Sequence, residues 1–133
     1  MEVLSIVTLL ALLEYVAIFL LVGRARAKYG IKAPATSGHE IFERYFRVQQ
    51  NTLEQLVIFL PALWIFGWSL SYGVAALLGL AFIAGRALYL RGYVAAPEQR
   101  ALGFAVSALA NLALVLGGLV GAVLRLFAER ATN

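Results

Sequence analysis

The sequence has no cysteine and a single histidine among its 133 residues. Without cysteine there can be no disulfide framework and no thiolate metal site, and one histidine cannot form a histidine-rich metal site. Charged residues are also scarce, at 14% of the chain, compared with about 25% in ordinary soluble domains. The hydrophobic share of 62% is more apolar surface than one small soluble domain can bury. This composition favours a membrane protein that binds no metal ion.

The basic residues outnumber the acidic ones, and the formal net charge is +4. Such a charge alone could suggest a nucleic-acid partner. The basic residues lie beside apolar stretches, however, and the sequence contains no nucleic-acid motif, phosphate-binding loop or metal-ligand spacing. We therefore interpret them as residues that orient membrane spans, and we expect no nucleic-acid partner.

Four apolar segments are each long enough to cross a hydrocarbon core of about 30 Å as a helix. The predicted spans are residues 3–22, 46–70, 72–90 and 100–124, within a single transmembrane domain over residues 1–133. A cleaved signal peptide fits the first segment poorly, because no Lys or Arg precedes the apolar run and Arg24, Arg26 and Lys28 follow it. The predicted fold is an all-α, four-transmembrane-helix bundle.

The basic residues are concentrated in two of the three connections between these spans. They are Arg24, Arg26, Lys28, Lys32 and Arg44 in the first connection and Arg91 and Arg100 in the third. The short turn between the second and third spans has no charge at all. The positive-inside rule therefore predicts that the first and third loops are cytoplasmic and that both termini lie on the other side.

The second predicted span begins with an unusually polar stretch, FERYFRVQQNTLE, at residues 42–54. A helix advances about 100° per residue, which brings four polar residues within an arc of roughly 80°. These four are Arg44, Arg47, Asn51 and Glu54. On the third span, Arg86, Tyr89 and Tyr93 share a face of roughly 60°. In a membrane such stripes should face protein, water or a ligand rather than lipid, and both lie towards the predicted cytoplasmic side.

The polar groups near that side suit a small zwitterion with more than one carboxylate. The candidates are Arg26, Arg47, Gln49, Asn51, Glu54, Tyr89, Tyr93 and Arg100. Arginines hold carboxylates in bidentate fashion, Glu54 could receive an ammonium group, and the tyrosines add hydroxyl donors. From the residues alone, an internal network that pairs Arg47 with Glu54 and Glu43 is an alternative of equal weight.

Glu14 lies in the middle of the first predicted span. It could be a carboxylate that is hydrogen-bonded inside the bundle or partly protonated, or it could be a proton or cation site. A short four-span chain with a glutamate in its first span is similar to the small proton-coupled multidrug exporters, which gives an alternative function. Such an exporter has no evident use for the two polar stripes. Exchanging Glu14 for glutamine should abolish transport coupling in an exporter.

The fourth predicted span is rich in small residues, including Gly103, Gly117, Gly118 and Gly121. Small residues allow two membrane helices to approach closely. Asn111 is the one amide in this span, and we expect it to form an interhelical hydrogen bond rather than to bind a ligand.

The stretch FERYFRVQQNTLE, with the apolar run that follows it, resembles the second helix of the membrane-associated proteins in eicosanoid and glutathione metabolism, the MAPEG family. GRALYLRGY at residues 85–93, ARAKYG at residues 25–30 and Arg100 also match, in the right order and at the right spacing. The resemblance covers nearly the whole chain. It is greatest to the microsomal glutathione transferases and leukotriene C4 synthase.

The resemblance implies a homotrimer of four-helix bundles, with glutathione as co-substrate between neighbouring subunits near the cytoplasmic side. By position, the implied glutathione contacts are Arg26, Arg47, Gln49, Asn51, Glu54, Tyr89 and Tyr93. Arg100 matches the arginine that stabilises the thiolate in enzymatic members, and a nearby guanidinium lowers the pKa of a thiol from about 8.5. The other implied partners are membrane lipid and a lipophilic electrophile or lipid hydroperoxide.

The sequence departs from the family pattern at one place, because Gln55 and Leu56 stand where many members have a tyrosine. The family also has a non-catalytic branch, which looks to have lost the arginines that correspond to Arg47 and Arg100. Both arginines are present here, so the sequence favours an enzyme over a non-catalytic lipid- or glutathione-binding protein. The expected activity is glutathione conjugation, with lipid hydroperoxide reduction as a further candidate.

Overall fold

The structure, a computed structural model, describes residues 1–132 and consists of four long helices. These are α1 (Glu2–Lys28), α2 (Glu40–Ser69), α3 (Tyr72–Ala95) and α4 (Ala101–Thr132), and a 3-10 helix at Pro97–Arg100 precedes α4. All four long helices have the length and the apolar composition needed to cross a membrane. The prediction of an all-helical chain with four candidate spans is confirmed.

The helices extend beyond the predicted spans at their polar ends. α1 continues to Lys28, and α2 begins at Glu40. His39 is the N-cap of α2, since its Nδ1 accepts a hydrogen bond from the backbone N–H of Ile41 at 3.1 Å. Hydropathy marks only the length that lipid can cover, whereas helical hydrogen bonding continues until a cap ends it. The polar stripe on α2 is therefore regular helix throughout.

The two central helices are α2 and α3, each of which packs against the other three long helices. They are joined only by Leu70 and Ser71, and the Ser71 hydroxyl caps α3 by accepting from the Val74 N–H at 3.3 Å. This agrees with the short uncharged turn expected from the sequence. Because both polar stripes lie on these central helices, they can face each other inside the bundle.

The apolar core lies in the half of the bundle away from the polar stripes. The rings of Phe59 on α2 and Phe82 on α3 are stacked at 4.0 Å between centroids. Leu4, Leu63 and Leu114 are fully buried around them. The outer surface is also apolar, with large exposed side chains along α1 and α4, as expected of helices that contact lipid.

The α3–α4 contact is close because glycines lie in it. A Cβ at Gly103 would overlap the backbone of Tyr89, and a Cβ at Gly85 would lie 2.6 Å from the backbone nitrogen of Ser107. The close approach expected from the small residues of the fourth span is confirmed. Asn111 is also an interhelical residue as predicted, because its Nδ2 donates to Gln55 Oε1 at 2.8 Å.

Candidate functional site

Six of the eight predicted site residues line one cavity of about 270 Å³ at the polar end of the bundle. They are Arg47, Asn51 and Glu54 from α2, Tyr89 and Tyr93 from α3, and Arg100 from the end of the 3-10 helix. Residues three or four apart share one face of a helix, which explains how two helices present five of these side chains together. The sixth arrives from the turn before α4. We call this space the central cavity.

Two larger cavities adjoin the central cavity and differ in character. One, of about 580 Å³, shares Asn51, Tyr89 and Arg100 with it and extends to Phe104 on α4. The other, of about 520 Å³, shares Arg47 and Tyr93 with the central cavity. It extends over polar residues of the first connection and the start of α2. Arg100 therefore lies where a polar compartment meets a more apolar one.

Arg100 is held locally at this junction. Its Nη1 donates to the carbonyl of Pro97 at 3.1 Å, within the same 3-10 turn. Its guanidinium carbon lies 5.8 Å from the centroid of the Tyr93 ring. The side chain is exposed, so a ligand in the cavity can reach it.

Arg44 belongs to the stripe predicted on α2 but has a different role from the other three members. Its Nη1 donates to the carbonyls of Val94 at 3.0 Å and Ala95 at 3.2 Å, and its Nη2 pairs with Glu40. The carbonyls at the end of a helix have no partner within that helix. Arg44 therefore caps α3 and fixes the turn that carries Arg100.

Arg86 is fully buried beneath the central cavity and joins three helices. Its Nη2 donates to Asn51 Oδ1 and Thr52 Oγ1, both at 2.9 Å, and its Nη1 donates to Ser107 Oγ at 3.3 Å. Its guanidinium carbon lies 4.1 Å from the Tyr89 ring centroid. Since the oxygen of Asn51 is engaged by Arg86, the amide nitrogen is the group that Asn51 can offer to a ligand.

The sequence placed Arg86 on a face with Tyr89 and Tyr93 but did not include it among the site residues. The signal that could have identified it is an arginine in the interior of an apolar span, which must find polar partners in the bundle. Glu14 on α1 is half-buried and interacts electrostatically with Arg86. This interaction tests neither interpretation of Glu14, and both stay predictions.

Arg26 and Gln49 do not line the central cavity. The Nη1 of Arg26 donates to the carbonyl of Ala35 at 2.7 Å, and its guanidinium lies 4.8 Å from the Phe42 ring centroid. Viewed down the axis of α2, Gln49 is rotated by roughly 200° from Arg47. Phe42, whose ring Arg26 contacts, is rotated by roughly 140° in the opposite sense, so both lie on the side of α2 away from Arg47. The predicted site residues therefore form two groups on opposite sides of α2.

The ion-pair network considered as an alternative is not formed. Within residues 1–132, neither Arg47 nor Glu54 takes part in an ion pair. Glu43 instead accepts a hydrogen bond from the backbone N–H of Gly38 at 3.0 Å. Gln55 accepts a hydrogen bond from Asn111 inside the bundle. The charged groups of the central cavity are thus left to interact with a ligand.

Comparison with known proteins agrees with this arrangement. The MAPEG family model matches residues 4–120. An uncharacterized protein of Synechocystis sp. is 49% identical over 116 residues, which are 87% of this chain and 85% of that protein. Human microsomal glutathione S-transferase 2 is 41% identical over 118 residues, with coverage of 89% and 80%. Bovine leukotriene C4 synthase is 38% identical over 112 residues, with coverage of 84% and 75%. The chain is an integral, multi-pass membrane protein and belongs to the MAPEG family.

Proposed function

We propose that this protein is a glutathione-dependent transferase that stabilises the glutathione thiolate and conjugates it to a lipophilic electrophile. Two of the relatives are named for such transfer or synthesis reactions. The observation that carries the proposal is the central cavity, in which Arg47, Glu54 and Arg100 converge without forming ion pairs with one another. Charged groups that converge on a cleft without internal partners are typical of a binding site for a charged ligand.

The chemistry of the cavity matches that of glutathione, which has two carboxylates, one ammonium group, peptide groups and a thiol. Arg47 supplies a guanidinium for a carboxylate, and Glu54 supplies a carboxylate for the ammonium group. Asn51 offers an amide N–H for a carbonyl, because Arg86 occupies its oxygen. Tyr89 and Tyr93 form flat walls with hydroxyl groups. The 520 Å³ compartment that adjoins the cavity leaves room for the polar end of the tripeptide.

Arg100 is the proposed catalytic residue. A guanidinium next to the glutathione sulfur favours the thiolate, and each unit by which the thiol pKa falls corresponds to about 1.4 kcal/mol. The proton passes to water, because the cavity is open at the polar end. The thiolate electron pair then forms a carbon–sulfur bond with the electrophile. The displaced group leaves with its electron pair, or the oxygen of an opened epoxide takes a proton from water.

The electrophile is proposed to occupy the adjoining cavity of about 580 Å³. This space shares Arg100 and Tyr89 with the central cavity and is bounded by Phe104, which is itself exposed on the outside of α4. A lipophilic molecule dissolved in the bilayer could reach it without crossing water. The same thiolate could attack a lipid hydroperoxide, forming a sulfur–oxygen bond as the oxygen–oxygen bond breaks, and the released alkoxide takes a proton from water. A second glutathione thiol then converts the glutathione sulfenic acid into the disulfide and water, so peroxide reduction is a further proposed activity.

We further propose that the protein assembles as a homotrimer in which glutathione lies between subunits. The two groups of site residues on opposite sides of α2 support this arrangement. A ligand that contacts the central cavity of one subunit could meet Arg26 and Gln49 of a neighbour. The concentration of basic residues in the first and third connections supports a cytoplasmic location for this end of the bundle.

Thiolate formation is the direct test of the proposed catalytic step. Glutathione is titrated into the purified protein in detergent at neutral pH, and the ultraviolet absorbance of the thiolate is recorded. We expect a saturable signal that Arg100→Ala abolishes while glutathione still binds. Arg91→Ala removes an exposed arginine outside the cavity and should leave the signal intact. Binding without any thiolate in the parent protein would indicate the non-catalytic branch of the family.

Glutathione affinity tests the binding group separately. Arg47→Ala removes a charge-assisted contact worth about 1.5–3 kcal/mol, so calorimetry should show binding weakened by roughly 10- to 100-fold. An unchanged affinity would place the binding site elsewhere. If the parent protein bound no glutathione, Glu14→Gln in a proton-coupled transport assay would test the exporter alternative.

A further inference from the structure

A separate polar cavity of about 230 Å³ lies between α1 and α2. Its lining has no residue in common with the central cavity or with either adjoining cavity. The polar lining consists of Arg24, Lys28, Tyr29 and Tyr45, and the apolar lining includes Leu21 and Ile41. The proposed transferase reaction uses none of these side chains. We call this space the α1–α2 pocket.

The pocket has two positive charges and no carboxylate in its lining. Arg24 and Lys28 are four residues apart on α1, so they lie on one side of the helix and repel each other. Neither forms an ion pair within the part of the chain that the structure describes. Arg26, between them in sequence, is engaged with the carbonyl of Ala35 instead. A bound anion would therefore relieve a repulsion that the protein itself does not neutralise.

The position of the pocket along α1 places it at the level of lipid headgroups. Phe19 and Leu20, one turn before Arg24, are 57% and 63% exposed on the apolar outer surface. Arg24 and Lys28 follow directly where the apolar run ends. Lysine and arginine just beyond a membrane span attract anionic lipids, and tyrosines are enriched at the same depth.

We propose that the α1–α2 pocket binds the phosphate group of an anionic membrane phospholipid. Arg24 and Lys28 contact the phosphate oxygens, and the hydroxyl groups of the two tyrosines add hydrogen bonds. Leu21 and Ile41 contact the first carbons of the lipid chains, which a free phosphate ion lacks. Guanidinium and ammonium groups both bind phosphate well. The proposed lipid site does not depend on glutathione binding, so it can be tested independently of the proposed transferase function.

Lipid-dependent stability tests the proposal. The melting temperature of the full-length protein is measured in neutral detergent with phosphatidylglycerol, phosphatidylcholine or inorganic phosphate added at equal concentration. Native mass spectrometry counts the retained lipids. We expect phosphatidylglycerol to raise the melting temperature by several degrees more than phosphatidylcholine, and one molecule per subunit to be retained. Equal effects of the two lipids would overturn the proposal, and an equal effect of inorganic phosphate would show a phosphate site instead of a lipid site.

A matched pair of double variants separates the pocket from general charge. Arg24→Gln/Lys28→Gln should lose the preference for phosphatidylglycerol, with at least tenfold weaker retention. Arg91→Gln/Arg130→Gln removes the same number of charges from exposed positions outside the pocket and should keep the preference. If both pairs lose it equally, the effect is one of net charge and the assigned site is wrong. Tyr45→Phe, which removes a single hydroxyl, should weaken retention a few-fold and guards against misfolding of the double variant.

Discussion

Arg86 shows how a single residue can organise the proposed site without reaching its ligand. A buried guanidinium is tolerated in an apolar bundle only when its N–H groups find partners. Here those partners are neutral oxygens on α2 and α4, at 2.9 to 3.3 Å. Asn51 and Tyr89, which both line the central cavity, are in contact with it. Arg86 is therefore a positioning residue for the cavity rather than a catalytic one.

Replacing Arg86 should weaken the positioning of Asn51 and Tyr89 in the proposed glutathione site. Arg86→Met leaves the oxygens of Asn51, Thr52 and Ser107 without their donor and frees the Asn51 amide to rotate. Each buried group left unsatisfied costs about 1–3 kcal/mol. We expect a melting temperature lower by several degrees and glutathione binding weakened about tenfold, which corresponds to about 1.4 kcal/mol. Thermal unfolding and calorimetry measure the two effects.

A conservative substitution distinguishes positioning of Asn51 from a general loss of stability. Arg86→Lys keeps the positive charge but cannot donate to three oxygens in a planar arrangement. It should recover most of the melting temperature and little of the glutathione affinity. If the methionine variant bound glutathione as tightly as the parent protein, the positioning role would be wrong.

Periodicity predicted which polar side chains share a face of α2 and which share a face of α3, because residues on one helical face stay together in any packing. Periodicity could not predict the role of Arg44, because a position on one helical face does not show that the side chain donates hydrogen bonds to the end of α3. Arg26 and Gln49 were candidates because they lie near the same predicted end of the spans, but a position along the chain does not show which side of a helix faces the central cavity, and neither residue lines it. The hydrogen bond from Arg86 to Asn51 joins two helices, and a single helical projection contains no information about contacts between helices.

At the scale of elements, the α3–α4 junction determines where Arg100 lies. Gly92 and Gly103 allow the turn and α4 to pack against the backbone of α3, since a Cβ at either position would overlap main-chain atoms. Arg44 then holds the end of α3 from the α2 side. Arg100, the proposed catalytic residue, is therefore placed by three helices, although it lies in a single turn of 3-10 helix.

Adding one methyl group in this junction should separate α3 from α4. In Gly103→Ala the new Cβ would overlap the backbone of Tyr89, and overpacking of this kind typically costs about 1–3 kcal/mol. We expect a lower melting temperature together with a smaller thiolate signal, because Tyr89 and Arg100 are displaced relative to each other. Gly23→Ala is the matched control, since its Cβ would meet nothing within 4 Å. Equal melting temperatures for the two variants would contradict the close packing.

Removing the cap on α3 should affect catalysis more than binding. Arg44→Gln loses the hydrogen bonds to the carbonyls of Val94 and Ala95, so the following turn gains freedom. We expect the thiolate yield of bound glutathione to fall several-fold while the glutathione dissociation constant changes little. Glu40→Gln removes only the exposed partner of Arg44, and such a surface pair is worth about 0–1 kcal/mol. A full thiolate signal in Arg44→Gln would mean that Arg100 is held by its own turn alone.

At the scale of the whole molecule, hydropathy was sufficient to predict four spans and their order. A helix that crosses the bilayer needs a long run of apolar residues, and such a run can be recognised in the sequence. The association of subunits cannot be predicted from hydropathy, because contacts between subunits and contacts with lipid both favour apolar side chains. The two groups of site residues on opposite sides of α2 are the feature of the fold that bears on assembly. They favour a site that two subunits share.

Mixed oligomers can test whether the site is shared. Arg26→Ala and Arg100→Ala are each expected to lose most glutathione conjugation. If one subunit supplies Arg26 and its neighbour supplies Arg100, random co-assembly of the two variants in a closed trimer restores about a quarter of the sites. Purification through two different tags keeps only the mixed trimers, each of which has one intact site in three, so the activity of the purified mixture should rise to about a third of the parent value.

The matched control for this experiment combines Arg47→Ala with Arg100→Ala. Both residues line the same cavity within one subunit, so every site in that mixture lacks one of them and no activity should return. Recovery only with the Arg26 variant requires a site built across a subunit boundary. Absence of recovery in both mixtures would mean that Arg26 acts within its own subunit, and its hydrogen bond to Ala35 would then be its main role.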